Sequence, residues 1–120
     1  KVLLCTAEET RDVLTEGLRA RGWQVDVAIA YRTVPAAVDR ALLEAIAAAD
    51  VVAFASSSAV NGFAAAVPRD RWPRVAAAIG PISAATARSA GFAEVIEANR
   101  HDIGGLVDTI VDWSVKAPPA

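Results

Sequence analysis

Two spacings of apolar residues alternate along this chain. Short apolar runs, typical of buried strands, lie at Val2–Cys5, Val25–Ile29, Val51–Phe54, Val75–Ile79 and Ala93–Ile96. Between these runs the apolar residues are three or four positions apart, as on one face of a helix. The pattern predicts five strands and five helices in strict alternation. Such alternating βα units are typical of an α/β protein with a flavodoxin-like, doubly wound parallel sheet of five strands and helices on both faces.

Local signals predict how several of these elements begin, end or pack. Thr6-Ala7-Glu8-Glu9 matches a capping box, in which a hydroxyl and a carboxylate bond the first amides of a helix. Gly22 and Gly91 follow helical segments and are suited to a left-handed C-terminal stop. Val51–Phe54 shows no alternation, which favours a central strand covered on both faces. Cys5 ends an apolar strand and is expected in the core.

Composition excludes several classes of protein. The chain has 120 residues, enough for one domain with a real core and without a disulfide or metal staple. One cysteine and one histidine allow neither an internal disulfide nor a zinc site made from the two. A net charge of −2 argues against electrostatic nucleic-acid binding. Mean hydropathy is +0.35, but the apolar runs are too short to span a membrane.

The organisation of the chain indicates a piece of a longer protein. It begins at Lys1 without an initiator methionine or signal peptide, and a strand follows immediately. Residues 1–30 are expected to form a βαβ segment, residues 31–116 the main α/β unit and residues 117–120 a disordered tail. Abundant alanine and an excess of arginine over lysine are typical of a GC-rich bacterial genome, and a cytoplasmic location is expected.

Ligands of doubly wound sheets bind at the carboxyl ends of the strands. Two turns there, Ser56-Ser57-Ser58 and Gly80-Pro81-Ile82-Ser83, each follow a buried strand and open a helix. Helix N-termini favour anions, although serine is also a common cap wherever a helix starts. Because both turns lack acidic residues, together they predict an anion-facing rim.

The residues that several other kinds of site require are absent from the sequence. The third strand ends in Phe54-Ala55-Ser56 rather than the aspartates of a phosphoacceptor domain, and there is no GxGxxG or Walker loop. No metal site, cofactor loop or nucleophile–base pair is visible. Tyr31 lies just past a strand and is followed by Arg32, so it is either a packed connector aromatic or a ligand-facing phenol. His101 is expected to be a surface residue beside a helix cap.

These segments together resemble the C-terminal half of the uroporphyrinogen-III synthase family, from Thr10 to the last helix. The pieces that carry the resemblance are Arg11-Asp12-Val13-Leu14, Val25-Asp26-Val27 running into Tyr31-Arg32-Thr33-Val34, Asp50–Val60, Ala78-Ile79-Gly80-Pro81 and Gly105-Leu106-Val107. The sequence departs from the family pattern where Ala55 replaces the usual threonine, Ser57 the usual proline, and Ile82 a frequent threonine. The family enzyme is also about twice as long.

The resemblance implies a lyase of haem and sirohaem biosynthesis that works without a cofactor. It would close the linear tetrapyrrole hydroxymethylbilane to uroporphyrinogen III, with inversion of the last pyrrole ring. The substrate's multiple carboxylates would be bound mainly through backbone amides. The residues implied as substrate-binding are Ser56, Ser57, Ser58, Gly80, Ile82 and Ser83. Tyr31 matches the family's candidate proton donor, and a tyrosine phenol is protonated at neutral pH.

The resemblance also implies partners. In the family, the first strand, helix and second strand of each repeat belong to a different domain from the strands that follow. Residues 1–30 are therefore expected to pack with the missing N-terminal half or with a second copy, as a swapped dimer, and this is favoured over a closed five-stranded domain in which they fold back onto the sheet of their own chain. Two alternatives remain: a non-catalytic α/β anion-binding or regulatory module that kept the fold, and a small-anion binder that uses the same turns without Tyr31.

Overall fold

The computed structural model describes residues 1–8, 10, 12–34 and 36–117. Within these residues, five β-strands alternate with five α-helices, as the hydrophobic pattern predicts. The chain divides into two compact units, unit 1 (Lys1–Val34) and unit 2 (Pro35–Ala120). No helix among the described residues is both long enough and apolar enough to cross a membrane.

Unit 1 is a single βαβ motif. It consists of β1 (Val2–Ala7), α1 (Val13–Arg19) and β2 (Val25–Tyr31). The two strands are parallel, with Val2 opposite Val25. Much of the apolar surface of this unit is open to solvent. Side chains that are more than half exposed are Leu3, Val13, Leu14, Trp23, Ile29, Tyr31 and Val34.

Two expectations for unit 1 are wrong. The predicted capping box does not begin a helix, because β1 continues through Thr6 and Ala7 and α1 starts only at Val13. The Thr6 hydroxyl is buried and has no hydrogen-bond partner among the described residues. Cys5 is exposed rather than in the core, since burial alternates along β1 up to Thr6 and Cys5 is on the open side. Glu9 of the capping box and Arg11 lie outside the described residues.

Unit 2 contains the remaining elements around a three-stranded parallel sheet. In chain order these are α2 (Arg40–Ala47), β3 (Val51–Phe54), α3 (Ser57–Ala66), a 3₁₀ turn (Arg69–Arg71), β4 (Val75–Ala78), α4 (Pro81–Ala90), β5 (Glu94–Glu97) and α5 (Ile103–Lys116). The strand order is β3-β4-β5, with Val52, Ala76 and Val95 in register. All four residues of β4 are buried, so β4 is the centre of the sheet.

Helices cover both faces of this sheet. Ala76 lies on the face of α3 and α4, in a cluster with Phe54, Val60, Ala87 and Phe92. Trp72 stacks on Phe92 in the same cluster, with ring centroids 4.5 Å apart. On the opposite face Ala77 packs with Ala98 and with Leu106 of α5. Small residues along β4 let helices approach from both sides.

The described strands form two sheets of two and three strands, not one sheet of five. The prediction of a single flavodoxin-like sheet is therefore wrong in this respect, although the parallel α/β character is confirmed. β3 is an edge of its sheet rather than a central strand, and Ala53 is exposed. Alternation of elements predicts that strands run parallel, but it does not determine which edges form hydrogen bonds. Of the predicted tail, residues 118–120 lie outside the described residues.

Candidate functional site

The ends of β3, β4 and β5 are held side by side at one edge of the unit 2 sheet. The Ile79 amide donates to the Phe54 carbonyl at 3.0 Å, and the Ala98 amide donates to the Ala78 carbonyl at 2.9 Å. These bonds extend the ladder just beyond the strands. The three following turns therefore lie along the same edge, which we call the carboxyl rim. It comprises residues 55–58, 79–83 and 98–102.

The turn after β3 begins α3 with a serine cap. Ser56 has extended backbone (φ −159°, ψ 158°), and its Oγ accepts a hydrogen bond from the Ala59 amide at 3.2 Å. The Oγ atoms of Ser56 and Ser58 are 3.0 Å apart. Amides in the first turn of a helix have no carbonyl partner within the helix. The amides of Ser57 and Ser58 are thus the donors that have no hydrogen-bond acceptor in the helix or its cap.

The turn after β4 begins α4 without a side-chain cap. Gly80 is at the N-cap, and Pro81 follows in the first turn, where it contributes no N–H. Ser83 is only 4% exposed, and its Oγ donates to the Gly80 carbonyl at 3.0 Å instead of accepting from an amide. The Ile82 and Ser83 amides are therefore the donors left at this helix start. Ile82 brings an amide to the rim, while its side chain is 55% exposed.

Charge distinguishes the three turns of the carboxyl rim. Residues 55–58 and 79–83 contain no charged side chain, so the two helix dipoles there face no carboxylate of their own turn. The turn after β5 differs. Asp102 caps α5 by accepting from the Gly105 amide at 2.6 Å. An outside anion can consequently be bound at the starts of α3 and α4, whereas the start of α5 already holds a carboxylate.

His101 is exposed and directly precedes the Asp102 cap of α5, as the sequence predicts, but its closeness to the turn after β4 was not predicted. Its Cγ is 3.3 Å from the point where a Cβ on Gly80 would be. A side chain at position 80 would therefore crowd the imidazole, which is otherwise exposed. No signal in the sequence indicated this, because it depends on β5, which precedes the turn of His101, lying next to β4 in the sheet.

Tyr31 lies in unit 1. It is the last residue of β2 rather than a residue past the strand end, and its side chain is 62% exposed. Its carbonyl accepts from the Glu8 amide at 2.9 Å. The other six candidates, Ser56, Ser57, Ser58, Gly80, Ile82 and Ser83, lie together on the carboxyl rim of unit 2. Among the described residues, no cluster of three His, Cys, Asp or Glu side chains could hold a metal ion.

Comparison with known proteins identifies the family. The sequence profile described as "Uroporphyrinogen-III synthase HemD" matches residues 1–108. The chain belongs to the uroporphyrinogen-III synthase family. Among solved structures it is similar to uroporphyrinogen-III synthetase from Helicobacter pylori 26695, with a TM-score of 0.77 and 16% sequence identity. The match covers 93% of this chain and 53% of that one, and at this identity it shows the fold. No curated protein sequence matches.

The positions at which this chain departs from the uroporphyrinogen-III synthase pattern do not remove backbone amide donors from the carboxyl rim. Ser57 stands where the family usually has proline, at the first position of α3, where a proline would also be tolerated. Ile82 stands where threonine is frequent, but the backbone amide at that position is the same. The rim can therefore present amides to an anion in spite of both substitutions.

Proposed function

We propose that this chain acts as the C-terminal half of a cytoplasmic uroporphyrinogen-III synthase, a lyase that closes hydroxymethylbilane to uroporphyrinogen III with inversion of the last pyrrole ring. The family match over residues 1–108 carries the proposal. The chain spans about half of the length of the solved relative, 53%. The activity is accordingly proposed for this chain together with the remaining half or a second copy.

The carboxyl rim is proposed to bind carboxylates of the linear tetrapyrrole. The amides of Ser57, Ser58, Ile82 and Ser83 are free of partners within their helices. Each belongs to the first turn of a ten-residue helix, whose dipole favours an anion at that end. The turns around these amides are neutral, so they add no negative charge that would repel a carboxylate. Ser56 and Gly80 would shape the two turns and keep the backbone amides accessible to the ligand.

Tyr31 is proposed as the proton donor. The substrate's hydroxymethyl group loses its hydroxyl as water, and that C–O bond breaks more easily when the oxygen receives a proton. The Tyr31 side chain is largely exposed, so its phenol is accessible to a ligand. The remaining rate acceleration would come from holding the flexible linear tetrapyrrole in the folded geometry that ring closure requires. No cofactor is required by this scheme.

Replacement of Tyr31 tests the catalytic part of the proposal. Tyr31→Phe in the active enzyme is expected to lower kcat at least tenfold while the KM and the thermal midpoint change little, because only the donating hydroxyl is removed. Trp23→Phe is the matched control, since Trp23 is another exposed aromatic of unit 1, at 51% exposure. Conversion would be followed by chromatographic separation of the inverted and uninverted cyclic products. Equal kcat values for Tyr31→Phe and wild type would remove the acid role of Tyr31.

The assay also separates an enzyme from a binding module. The chain would be incubated with hydroxymethylbilane, alone and mixed with the N-terminal half of a family enzyme. Formation of the inverted product above the uncatalysed background in either sample supports the lyase. Product binding with no inverted product in any sample would instead indicate a non-catalytic module that kept the fold.

A further inference from the structure

The start of α4 lacks the side-chain cap that the start of α3 has. A capping side chain extends from the Cβ of the N-cap residue and accepts from amides two or three residues further along the helix. In α3 the Ser56 hydroxyl accepts from the Ala59 amide in this way. In α4 the N-cap is Gly80, so the corresponding amides, those of Ile82 and Ser83, receive no cap. An acceptor for these two amides has to come from outside the helix.

His101 borders the space in which a cap on α4 would begin. The three atoms nearest to the position of a Cβ on Gly80 are the Cγ, Cδ2 and Cβ atoms of His101, at 3.3, 3.4 and 3.6 Å. The imidazole therefore contacts the N-cap through carbon atoms. Gly80 is buried, whereas His101 is exposed to solvent. An acceptor that replaces the missing cap would consequently lie between the two free amides and an exposed imidazole.

The charged groups beside His101 have partners of their own. Arg100 donates to the Asp108 carboxylate at 3.2 Å, and the Asp102 carboxylate accepts from the Gly105 amide at 2.6 Å. Within the part of the chain that the structure describes, neither nitrogen of the His101 imidazole has a hydrogen-bond partner. The imidazole is thus the side chain at this turn whose donor is available to a ligand.

We propose that His101 is a substrate-binding residue, whose imidazole N–H donates to the carboxylate that the Ile82 and Ser83 amides bind at the start of α4. The inference rests on the function proposed above. An imidazole carries at least one N–H in either charge state, so it can donate to a carboxylate in both. Hydrogen bonds to an ionised group are stronger than those between neutral groups. The start of α4 then binds a carboxylate through two amides and a side chain, whereas the start of α3 offers backbone amides.

Two substitutions of His101 separate hydrogen bonding from packing. His101→Phe keeps an aromatic ring beside Gly80 but has no donor, and it should weaken binding of uroporphyrinogen III about tenfold, as for the loss of one hydrogen bond to a charged group. His101→Gln keeps an N–H donor without the ring, and it should bind within about threefold of the wild-type affinity. Affinity is measured by anaerobic calorimetric titration. If the ring acted only by packing on Gly80, His101→Gln would instead be the weaker binder.

A measurement on the unsubstituted chain does not depend on how well a variant folds. His101 is the only histidine in the sequence, so in protein without a histidine tag its imidazole gives the only histidine signals of a long-range ¹H–¹⁵N NMR spectrum. During titration with uroporphyrinogen III, an imidazole signal and the amide signals of Ile82 and Ser83 should shift together. All three should saturate at the same ligand concentration.

The outcomes distinguish this inference from the function on which it rests. Shifts of the Ile82 and Ser83 amides without a shift of the imidazole would overturn the role of His101 and leave the carboxyl rim as a binding site. Equal affinity of His101→Phe and wild type would do the same. If no signal of the labelled chain shifts, with or without an unlabelled N-terminal half of a family enzyme, the carboxyl rim does not bind the product, and both proposals are wrong.

Discussion

At the scale of single residues, the hydroxyls and the amides of the rim serines have separate roles. The Ser56 hydroxyl is engaged as a cap on the Ala59 amide, and the Ser58 hydroxyl is paired with that of Ser56. The Ser83 hydroxyl is occupied by the Gly80 carbonyl. The groups that have no hydrogen-bond partner in the helices are backbone amides, which substitution of a side chain does not remove. Binding through amides would make the rim tolerant of changes in side chain.

Alanine substitutions of the serines test this division. Ser56→Ala removes the cap of α3 and should lower the free energy of unfolding by about 1 kcal/mol. Ser58→Ala is the control, because its hydroxyl bonds only another hydroxyl, and it should cost less. The affinity of both variants for the product, uroporphyrinogen III, should stay within a few-fold of the wild-type value, as measured by calorimetric titration. A hundredfold loss of affinity in Ser58→Ala alone would show that the hydroxyl, and not the amide, binds the carboxylate.

The same scale shows what the sequence could and could not reveal about the site. Ser56–Ser58 and Gly80–Ser83 were predictable, because each follows an apolar run and precedes a helical pattern. The position of His101 against Gly80 was not, since it depends on β5 lying next to β4. Pairing between strands is set by packing over the whole sheet and leaves no trace in the spacing of residues near His101.

At the scale of elements, the two ends of α4 are fixed by different means. Its start is left without a side-chain cap, which exposes amides at the rim. Its end is secured by Gly91, which has left-handed backbone (φ +96°). The Arg69 guanidinium donates to the carbonyls of Ala90 and Gly91 and lies over the Trp72 ring at 4.6 Å from the centroid. The end of α4 is thus held by side-chain hydrogen bonds, whereas its start has no side-chain cap.

Substitution of Gly91 measures how much this end contributes. A Cβ at Gly91 would lie 1.9 Å from Arg69 Nη2, and the positive φ adds backbone strain. Gly91→Ala should therefore lower the free energy of unfolding by about 2 kcal/mol in urea titrations. Gly22→Ala is the matched control, with φ +82° but no atom within 4 Å of the added Cβ, and should cost about 1 kcal/mol.

A double-mutant cycle tests whether Arg69 causes the larger loss of unfolding free energy in Gly91→Ala than in Gly22→Ala. In an Arg69→Ala background the steric conflict is absent, so Gly91→Ala should cost about as much as Gly22→Ala. If Gly91→Ala costs no more than Gly22→Ala even when Arg69 is present, the guanidinium moves aside freely and does not secure the end of α4.

The elements themselves were largely predictable, and the errors have a common cause. Apolar spacing located every described strand and helix, because burial of one face is required of each. The capping box at Thr6 failed because its residue types also fit the end of a strand, and β1 extends through them. A local motif of four residues is outweighed when a neighbouring strand, here β2, continues the hydrogen-bond ladder.

At the scale of the whole molecule, the division into two sheets is the feature that the sequence pattern missed. Alternating βα units are compatible with one sheet of five strands or with strands shared between copies, because either arrangement covers the same apolar residues. The exposed apolar side chains of unit 1 and those of α5 (Ile103, Val107, Val111 and Val115) show that this coverage is incomplete within the described residues. Stability of the isolated chain is therefore expected to depend on association.

Unfolding of the two units provides the corresponding measurement. Trp23 reports on unit 1, whereas Trp72, stacked on Phe92, reports on unit 2. In chains labelled with fluorotryptophan, ¹⁹F NMR resolves these residues, with signals assigned by single Trp→Phe variants. If each unit is completed by the other copy, both native signals should disappear at the same urea concentration, and that midpoint should rise with protein concentration, as for any obligate dimer. Val107→Asp, which places a charge among the exposed apolar side chains of α5, should lower the midpoint and separate the two transitions. Loss of the Trp23 signal at lower urea than the Trp72 signal, at every protein concentration, would show that the units fold independently and do not complete each other.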